Sequence, residues 1–274
     1  MELTSIVWDV DPTLFTVFGR EIRWYGLLWG IGFLGGYLMV DKVFKHEKLP
    51  EQWVEKLFMY TILSSVIGAR LGHCLFYEWD YYSAHPLKIF AIWEGGLASH
   101  GGVFCLILAL IVYSKRVTHQ SVWWLFDRMI PAIGFACACI RLGNLMNSEI
   151  FGFPTTLPWG FMFVRSQEWL TLYPGLACHP TQIYEIIYCL LAMTTAMIMY
   201  WKFHLERKVG FITGISLIIF FGSRFLLEML KNPQVAREAE MTLNIGQLLS
   251  IPLILLGIYL AVSAWIKPDI KRLV

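Results

Sequence analysis

Long apolar runs recur along this chain at a length that fits a lipid bilayer. A membrane-spanning helix needs about 20 consecutive, mostly apolar residues. Runs of that kind lie at about 22–43, 57–77, 97–114, 121–142, 181–201, 210–230 and 245–266. The run at 57–77 is interrupted by Ser64, Ser65 and Arg70, and the run at 97–114 opens on glycine-rich sequence. The pattern predicts an all-α polytopic membrane protein with about seven transmembrane helices.

The segments between the runs differ from them in composition. Residues 78–98 are rich in Tyr and Trp, which favours a stretch at the membrane interface. Residues 144–179 combine prolines, threonines and Trp159 in a pattern typical of turns. We therefore expect a small external lobe at about 144–179, between the fourth and fifth transmembrane helices, within a single domain that covers residues 1–274.

Basic residues are shared unevenly between alternate connections. One set of connections, from Lys42 to Arg272, carries 12 Lys and Arg residues, and the opposite set, from Arg20 to Arg237, carries 6. Cytoplasmic connections usually hold the excess of Lys and Arg. The bias therefore predicts that the N-terminus lies outside and the C-terminus lies in the cytoplasm, which agrees with an odd number of spans.

Composition supports a membrane protein and argues against nucleic-acid binding and against cysteine-based disulfide or metal sites. Charged residues make up 15% of the chain, whereas soluble domains contain about 25%. The net charge of +2 is too small to indicate nucleic-acid binding. Five of the six cysteines lie in apolar runs and none belongs to a Cys-x-x-Cys pair. We expect no disulfide, no metal and no cofactor.

Four arginines lie inside the apolar runs, at positions Arg70, Arg128, Arg141 and Arg224. A charged side chain at the bilayer centre costs about 2.5–3.5 kcal/mol on the insertion scale, so it usually faces a polar cavity or a partner. Arg128 follows Asp127, which favours a local ion pair. The other three arginines lie in polar clusters, a pattern typical of a membrane protein that handles an anion.

The most polar cluster stands at the external end of the fourth run. Arg141, Asn144 and Asn147 are spaced three apart, and Glu149 follows them. Residues three apart share one face of a helix. Guanidinium and amide donors on one face suit a phosphate and neighbouring hydroxyl groups. The alternative is a polar helix end that enters a loop.

Two more clusters each have a functional and a structural interpretation. Arg224 and Glu228 lie four apart in the sixth run, so they form either an intramembrane ion pair or a site in which Glu228 orients Arg224 towards an anion. His100 stands among four glycines, which allow the backbone to approach a ligand closely. Histidine can move protons near neutral pH, although a lone histidine is more often structural.

Three further residues are candidates for substrate contact. Tyr25 either belongs to an aromatic belt at the interface or contacts substrate. Arg70 and His73 lie three apart, so they either line one cavity or pair between helices. The carboxylates Glu149 and Glu228 are alternatives to His100 as a base, or they only orient the arginines.

The segment 179–185 has the sequence of a helix start. It reads His-Pro-Thr-Gln-Ile-Tyr-Glu, and His179 or Thr181 is a candidate cap. We expect Glu185, near the beginning of that helix, to pair with an arginine elsewhere in the chain.

In combination, these motifs resemble the bacterial prolipoprotein diacylglyceryl transferases. The run 141–152, which ends on Gly152, is similar to the signature of that family. Four other motifs match in the same order: Trp24-Tyr25-Gly26, His100-Gly101-Gly102, the segment 179–185 and Arg224-Phe-Leu-Leu-Glu228. The resemblance covers about residues 23–260. The chain departs from the family pattern at Ile140, Leu145 and His73, where Gly, Phe and Tyr are usual, and these changes remove no donor from the arginine clusters.

The resemblance implies an enzyme and its substrates. Such an enzyme transfers the diacylglyceryl group of phosphatidylglycerol to the lipobox cysteine of a prolipoprotein signal peptide and releases glycerol 1-phosphate. It works in the bacterial cytoplasmic (inner) membrane, towards the outer face. The expected catalytic residues are Arg141, Arg224, His100, Glu228 and Glu149. The expected substrate-binding residues are Tyr25, Arg70, Asn144, Asn147, Gly152, His179 and Tyr184.

Elementary chemistry ranks these roles. Negative charge builds on the departing phosphate, so fixed cations near it stabilise the transition state. A free thiol has a pKa of about 8.5 and is already a few per cent thiolate at pH 7. We therefore expect Arg141→Ala or Arg224→Ala to lower activity more than His100→Ala. An anion transporter would be expected to have inverted repeats or paired broken helices, and the sequence shows neither. A non-catalytic membrane scaffold would give no reason for a histidine flanked by glycines.

Overall fold

The computed structural model describes residues 5–232 and 241–269, and most of these residues are helical. The α-helices are α1 (Trp24–His46), α2 (Glu51–Phe76), α3 (Trp79–Ala84), α4 (Ser99–Tyr113), α5 (Val122–Met146), α6 (Gln167–Leu172), α7 (Thr181–Trp201), α8 (Phe211–Leu227) and α9 (Ile245–Ile266). The strands are β1 (Ile6–Val7), β2 (Thr13–Val17), β3 (Arg20–Arg23) and β4 (Phe161–Met162). Short 3-10 turns lie at Pro86–Phe90, Ile92–Glu94, Leu205–Arg207 and Glu228–Leu230.

Six of the described helices are long and apolar enough to cross a membrane, namely α1, α4, α5, α7, α8 and α9. The predicted class, an all-α polytopic membrane protein, is therefore confirmed. The remaining apolar run, at 57–77, coincides with α2, which is 26 residues long but carries serines, Arg70 and His73 in its apolar stretch. The count of seven spans and the orientation stay predictions. Three residues of the charge bias, Arg237, Lys271 and Arg272, lie outside the described residues.

The chain divides into two compact units. Among the described residues, the larger unit contains 5–39, 126–232 and 241–269, and the smaller unit contains 40–125. The single domain over 1–274 stays a prediction.

In the larger unit, α8 packs against α7 and α9 and is tied to α5 by a buried carboxylate. Asp127 of α5 is fully buried and accepts hydrogen bonds from Gly210 N at 2.6 Å and from Thr213 N at 2.8 Å. The Thr213 hydroxyl donates to the same carboxylate at 2.6 Å. These donors lie at the start of α8, where a helix leaves amides unpaired. The positive charge of the neighbouring Arg128 attracts the Asp127 carboxylate, and the local ion pair between the two residues stays a prediction.

The segment between α5 and α7 folds over a small apolar core of its own. The buried core residues are Leu145, Phe151, Phe161, Phe163, Trp169 and Cys178. Strand β1 pairs in parallel with β4, and Trp8 stacks on Phe161 with ring centroids 5.2 Å apart. Residues 6–8 therefore pack against this segment, a contact that the sequence did not reveal. Its position outside the membrane stays a prediction.

In the smaller unit, α2 and α4 pack closely because glycines face each other. A Cβ added to Gly72 would lie 2.8 Å from Gly101 Cα, so no larger residue fits without a shift of the backbone. The segment after α2 carries exposed aromatic side chains, including Tyr77, Trp79 and Trp93. The chain then returns to α2 through a hydrogen bond from Ala98 N to Ala69 O of 2.8 Å.

Candidate active site

The end of α5 presents a relay of hydrogen bonds. Arg141 Nη1 donates to Asn144 Oδ1 at 3.2 Å, and Asn144 Nδ2 donates to Glu149 Oε1 at 2.7 Å. Asn147 Nδ2 donates to the same carboxylate oxygen at 3.3 Å. The structure thus brings together the four polar residues that the sequence grouped. Asn144 fixes the guanidinium on one side and the carboxylate on the other.

Glu185 of α7 holds Arg141 from another direction. Its Oε2 lies 3.1 Å from Arg141 Nε, and its side chain is fully buried. Its Oε1 accepts hydrogen bonds from the Tyr188 hydroxyl at 3.2 Å and from Lys231 Nζ at 2.9 Å. The prediction that Glu185 pairs with a distant arginine is confirmed.

Lys231 connects this pair to a second one. Its Nζ lies 3.4 Å from Glu228 Oε2, and the same oxygen lies 4.0 Å from Arg224 Nε. The result is a continuous chain of alternating charges, Arg141–Glu185–Lys231–Glu228–Arg224. We call these five residues the ion-pair chain. The sequence predicted the Arg224–Glu228 pair but not its connection to Arg141.

The ion-pair chain has a buried centre and two partly exposed ends. The side chains of Glu185, Lys231 and Glu228 are 0%, 4% and 7% exposed, whereas those of Arg141 and Arg224 are 22% and 30% exposed. Three cations face two carboxylates, so the chain carries one net positive charge. The exposed guanidinium ends can therefore attract an anion, while the buried carboxylates fix their direction.

Sequence reasoning missed Lys231 as a site residue because it counted this lysine only as a loop charge. The available signal was its spacing, three residues after Glu228 at the end of the sixth apolar run. A carboxylate buried in an apolar segment is costly unless a cation pairs with it, so a lysine three residues away is a candidate for burial beside it.

His179 and Tyr184 form an aromatic and polar group with Trp159. Trp159 Nε1 donates to the Tyr184 hydroxyl at 2.8 Å, and His179 Nδ1 lies 3.3 Å from the same oxygen. Burial lowers the pKa of His179 below its ordinary value, so this histidine is neutral near pH 7. Pro180 occupies the N-cap position of α7, and Thr181 uses its hydroxyl elsewhere, so the predicted capping by His179 or Thr181 is wrong.

Tyr25 and Gly152 are both packed against the site's backbone. The ring of Tyr25 lies over Gly143, between Arg141 and Asn144, where an added Cβ would stand 2.7 Å from Tyr25 Cδ2. A Cβ on Gly152 would stand 2.7 Å from Thr181 Cγ2 and would collide with the Leu230 carbonyl. The close approach of these neighbouring atoms accounts for the glycine at position 152.

Arg70, in the smaller unit, is almost fully buried and is surrounded by backbone oxygens. Its guanidinium donates to the carbonyls of Lys88 at 2.6 Å, Ile89 at 2.8 Å, Gly95 at 2.6 Å and Gly96 at 3.2 Å. We call this arrangement the carbonyl clasp. It gives Arg70 a structural role in holding the 3-10 turns, and it leaves the guanidinium little capacity for the predicted substrate contact.

His100 lines a cavity of about 270 Å³ in the smaller unit. His73 and Tyr77 line the same cavity, with their rings stacked at 6.0 Å. His73 Nε2 also lies 3.4 Å from a carboxylate oxygen of Glu78. His100 is exposed at the second position of α4, so its imidazole is accessible to a substrate that enters this cavity.

Comparisons with known proteins identify the family of this chain. The family model described as prolipoprotein diacylglyceryl transferase matches residues 12–263. A phosphatidylglycerol–prolipoprotein diacylglyceryl transferase of Porphyromonas gingivalis is 49% identical over an alignment of 276 positions, which covers 98% of each chain. A protein of the same name from Chloroherpeton thalassium is 44% identical and covers 93% of this chain and 92% of its own. A third, from Tolumonas auensis, is 38% identical over 93% of this chain and 96% of its own.

Proposed function

The chain belongs to the prolipoprotein diacylglyceryl transferase family, and we propose that it transfers the diacylglyceryl group of phosphatidylglycerol to the thiol of a lipobox cysteine. It is a multi-pass membrane transferase of bacterial lipoprotein biosynthesis. The prolipoprotein signal peptide supplies the cysteine, and glycerol 1-phosphate leaves. This is the first step of lipoprotein maturation.

The reaction exchanges one bond to glycerol for another. The cysteine sulfur forms a thioether bond to a glycerol carbon, and the bond from that carbon to the phosphate oxygen breaks. The thiol proton passes to a base, and the bonding electrons leave with the phosphate. The phosphate changes from a diester with one negative charge towards a monoester with two.

The observation that carries the proposal is the pair of partly exposed guanidinium groups at the ends of the ion-pair chain. Arg141 and Arg224 supply fixed positive charge where the leaving phosphate gains negative charge. One such donor typically contributes about 2.7–4 kcal/mol, or 10²–10³ in rate. Glu185 and Glu228, linked by Lys231, keep both guanidinium groups oriented before substrate arrives, so little reorganisation is needed during the reaction.

The remaining polar groups at the site suit the uncharged parts of the lipid and the peptide. Asn144 and Asn147 offer amide groups beside Arg141 for glycerol or phosphate oxygens. Tyr25, His179 and Tyr184 present aromatic and hydrogen-bonding surface for the headgroup or the signal peptide. Glu149 orients Asn144 rather than acting as the base, because it already accepts from two amides.

Thiol activation is assigned to His100. Its accessible imidazole, in a cavity that also contains His73, can accept or orient the thiol proton. Because some thiolate is present without help at neutral pH, this contribution is smaller than that of the arginines.

We place the enzyme in the bacterial inner membrane, with the N-terminus and the active site towards the outer face and the C-terminus in the cytoplasm. The excess of basic residues in alternate connections supports this orientation.

Mass spectrometry tests the proposed function directly. Purified protein is incubated with phosphatidylglycerol and a lipobox peptide, and the cysteine should gain the mass of a diacylglyceryl group. The gain should disappear when the peptide cysteine is changed to serine, and the Arg165→Ala enzyme, altered at an exposed arginine, should remain active. No mass gain, together with passage of organic anions across vesicles containing the protein, would favour the transporter instead.

A further inference from the structure

The chain turns back sharply after α5 through two residues of unusual conformation. Ser148 has φ of 55° and Ile150 has φ of 60°, and Glu149 stands between them. This left-handed region is unfavourable for residues other than glycine, and it is a genuine outlier for a β-branched residue such as Ile150. Such a turn persists only when its surroundings hold it.

The turn has a direct effect on Glu149. It brings Glu149 N within 3.1 Å of Asn144 O and returns the carboxylate to α5, where Asn144 Nδ2 and Asn147 Nδ2 donate to it. If the turn relaxed to ordinary backbone angles, Glu149 would leave these amides. Asn144 would then lose the partner that fixes its orientation towards Arg141.

Two side chains at the start of α7 hold the turn. Gln182 Nε2 donates to the Glu149 carbonyl at 2.6 Å, and the Thr181 hydroxyl donates to the Ile150 carbonyl at 2.7 Å. Both side chains are fully buried. Each therefore satisfies a carbonyl that the reversed chain would otherwise bury without a partner.

The same helix holds the other end of the relay. Glu185 lies three residues after Gln182 and four after Thr181, so the three residues share one face of α7. Glu185 pairs with Arg141, while Thr181 and Gln182 hold the turn that carries Glu149. One face of α7 thus sets both ends of the Arg141–Asn144–Glu149 relay.

We propose that Thr181 and Gln182 are positioning residues for the transfer reaction, which act by holding the strained turn that places Glu149 against Asn144. The inference rests on the proposed function. Neither residue touches the reacting atoms. Their effect reaches the leaving phosphate through Glu149, Asn144 and the guanidinium of Arg141.

The test compares matched threonine variants in the transfer assay. Thr181→Val keeps the shape of the side chain but loses the hydroxyl, and we expect kcat to fall roughly 10-fold to 100-fold with little change in KM. Thr181→Ser keeps the hydroxyl and should restore most of the rate. Thr171→Val is the control, because the exposed Thr171 makes the same kind of bond, to the Gln167 carbonyl of its own helix α6 at 2.8 Å, and bonds to no residue of the turn.

Two double variants separate positioning from general stability. In a Glu149→Gln background, Thr181→Val should cause almost no further loss, because both changes interrupt the same relay. Ile150→Gly accepts the left-handed conformation without strain, so it should recover part of the rate lost in Thr181→Val. If Thr181→Val does not fold, Gln182→Met serves in its place with the same expectations.

Activity of the wild-type enzyme separates failure of this inference from failure of the proposed function. An inactive wild-type protein would refute the transferase proposal and, with it, this inference. An active wild-type enzyme with unchanged kcat in Thr181→Val, or with the same fold loss in both backgrounds, would refute only the role of Thr181 and Gln182.

Discussion

The ion-pair chain of the larger unit and the carbonyl clasp of the smaller unit use arginine in opposite ways. Arg141 and Arg224 are each paired with a carboxylate and remain partly exposed. Arg70 is 3% exposed and directs its donors at backbone carbonyls. An arginine in an apolar segment therefore indicates a functional site when some of its N–H donors remain free for a ligand. An arginine whose donors are bound to backbone carbonyls indicates instead that irregular backbone needs hydrogen-bond donors where water is excluded.

Removal of the central cation should cause the largest loss of stability. Lys231→Met leaves Glu185 and Glu228 as buried carboxylates without the lysine between them. Breaking a buried pair in this way typically costs about 3–5 kcal/mol. Denaturant unfolding in detergent measures the loss, and Lys231→Arg, which keeps the charge, should retain most of the stability. A Lys231→Met protein as stable as wild type would mean that the ion-pair chain is not a unit.

Truncation of either exposed end should primarily affect the rate. Arg141→Ala or Arg224→Ala should lower kcat by about 10²–10³, because each removes charge that meets the developing phosphate dianion. Initial rates of peptide modification measure the effect. Arg165→Ala is a suitable control, since Arg165 forms exposed pairs with Asp9 and Asp11 whose contribution is small. Equal losses of kcat in all three variants would contradict a specific role of Arg141 and Arg224 in the reaction.

Breaking the carbonyl clasp should have the opposite signature. Arg70→Gln leaves buried carbonyls of the 3-10 turns short of donors, which should lower stability by about 1.5–3 kcal/mol. The activity per folded molecule should change much less than in Arg141→Ala. Thermal unfolding and specific activity of the folded fraction measure the two quantities. A stable Arg70→Gln protein with a strongly reduced kcat would instead support the prediction that Arg70 contacts substrate.

The smallest effect concerns pH. Burial lowers the pKa of His179 in the folded protein, so the unfolded chain binds this proton more readily. Stability should be independent of this group above its ordinary pKa of 6.5, and should fall as the pH drops from there through the lower folded value. His179→Asn should remove that part of the decline. An identical pH profile of unfolding in both proteins would argue against a partly buried, neutral His179.

Hydropathy predicted the helices because an apolar run long enough to cross a bilayer must hydrogen-bond its own backbone, and a helix does so within one segment. Spacing predicted that Arg141, Asn144 and Asn147 lie on one face, because residues three apart are neighbours on the surface of a helix. The partners of Arg70 were not predictable, since backbone carbonyls have no sequence signature. Two contacts join distant parts of the chain, namely the pairing of β1 with β4 and the ion pair between Lys231 and Glu185. Local sequence patterns do not predict contacts of this kind.

The central claim is that stabilisation of the leaving phosphate contributes more than activation of the thiol. The most direct test measures kcat for wild type, Arg141→Ala and His100→Ala from about pH 6.5 to about pH 9, across the range in which a free thiol ionises. We predict that rising pH restores much of the His100→Ala rate, because solution then supplies thiolate, and that Arg141→Ala stays low throughout. A His100→Ala enzyme that is inactive at every pH, beside an active Arg141→Ala enzyme, would contradict the claim.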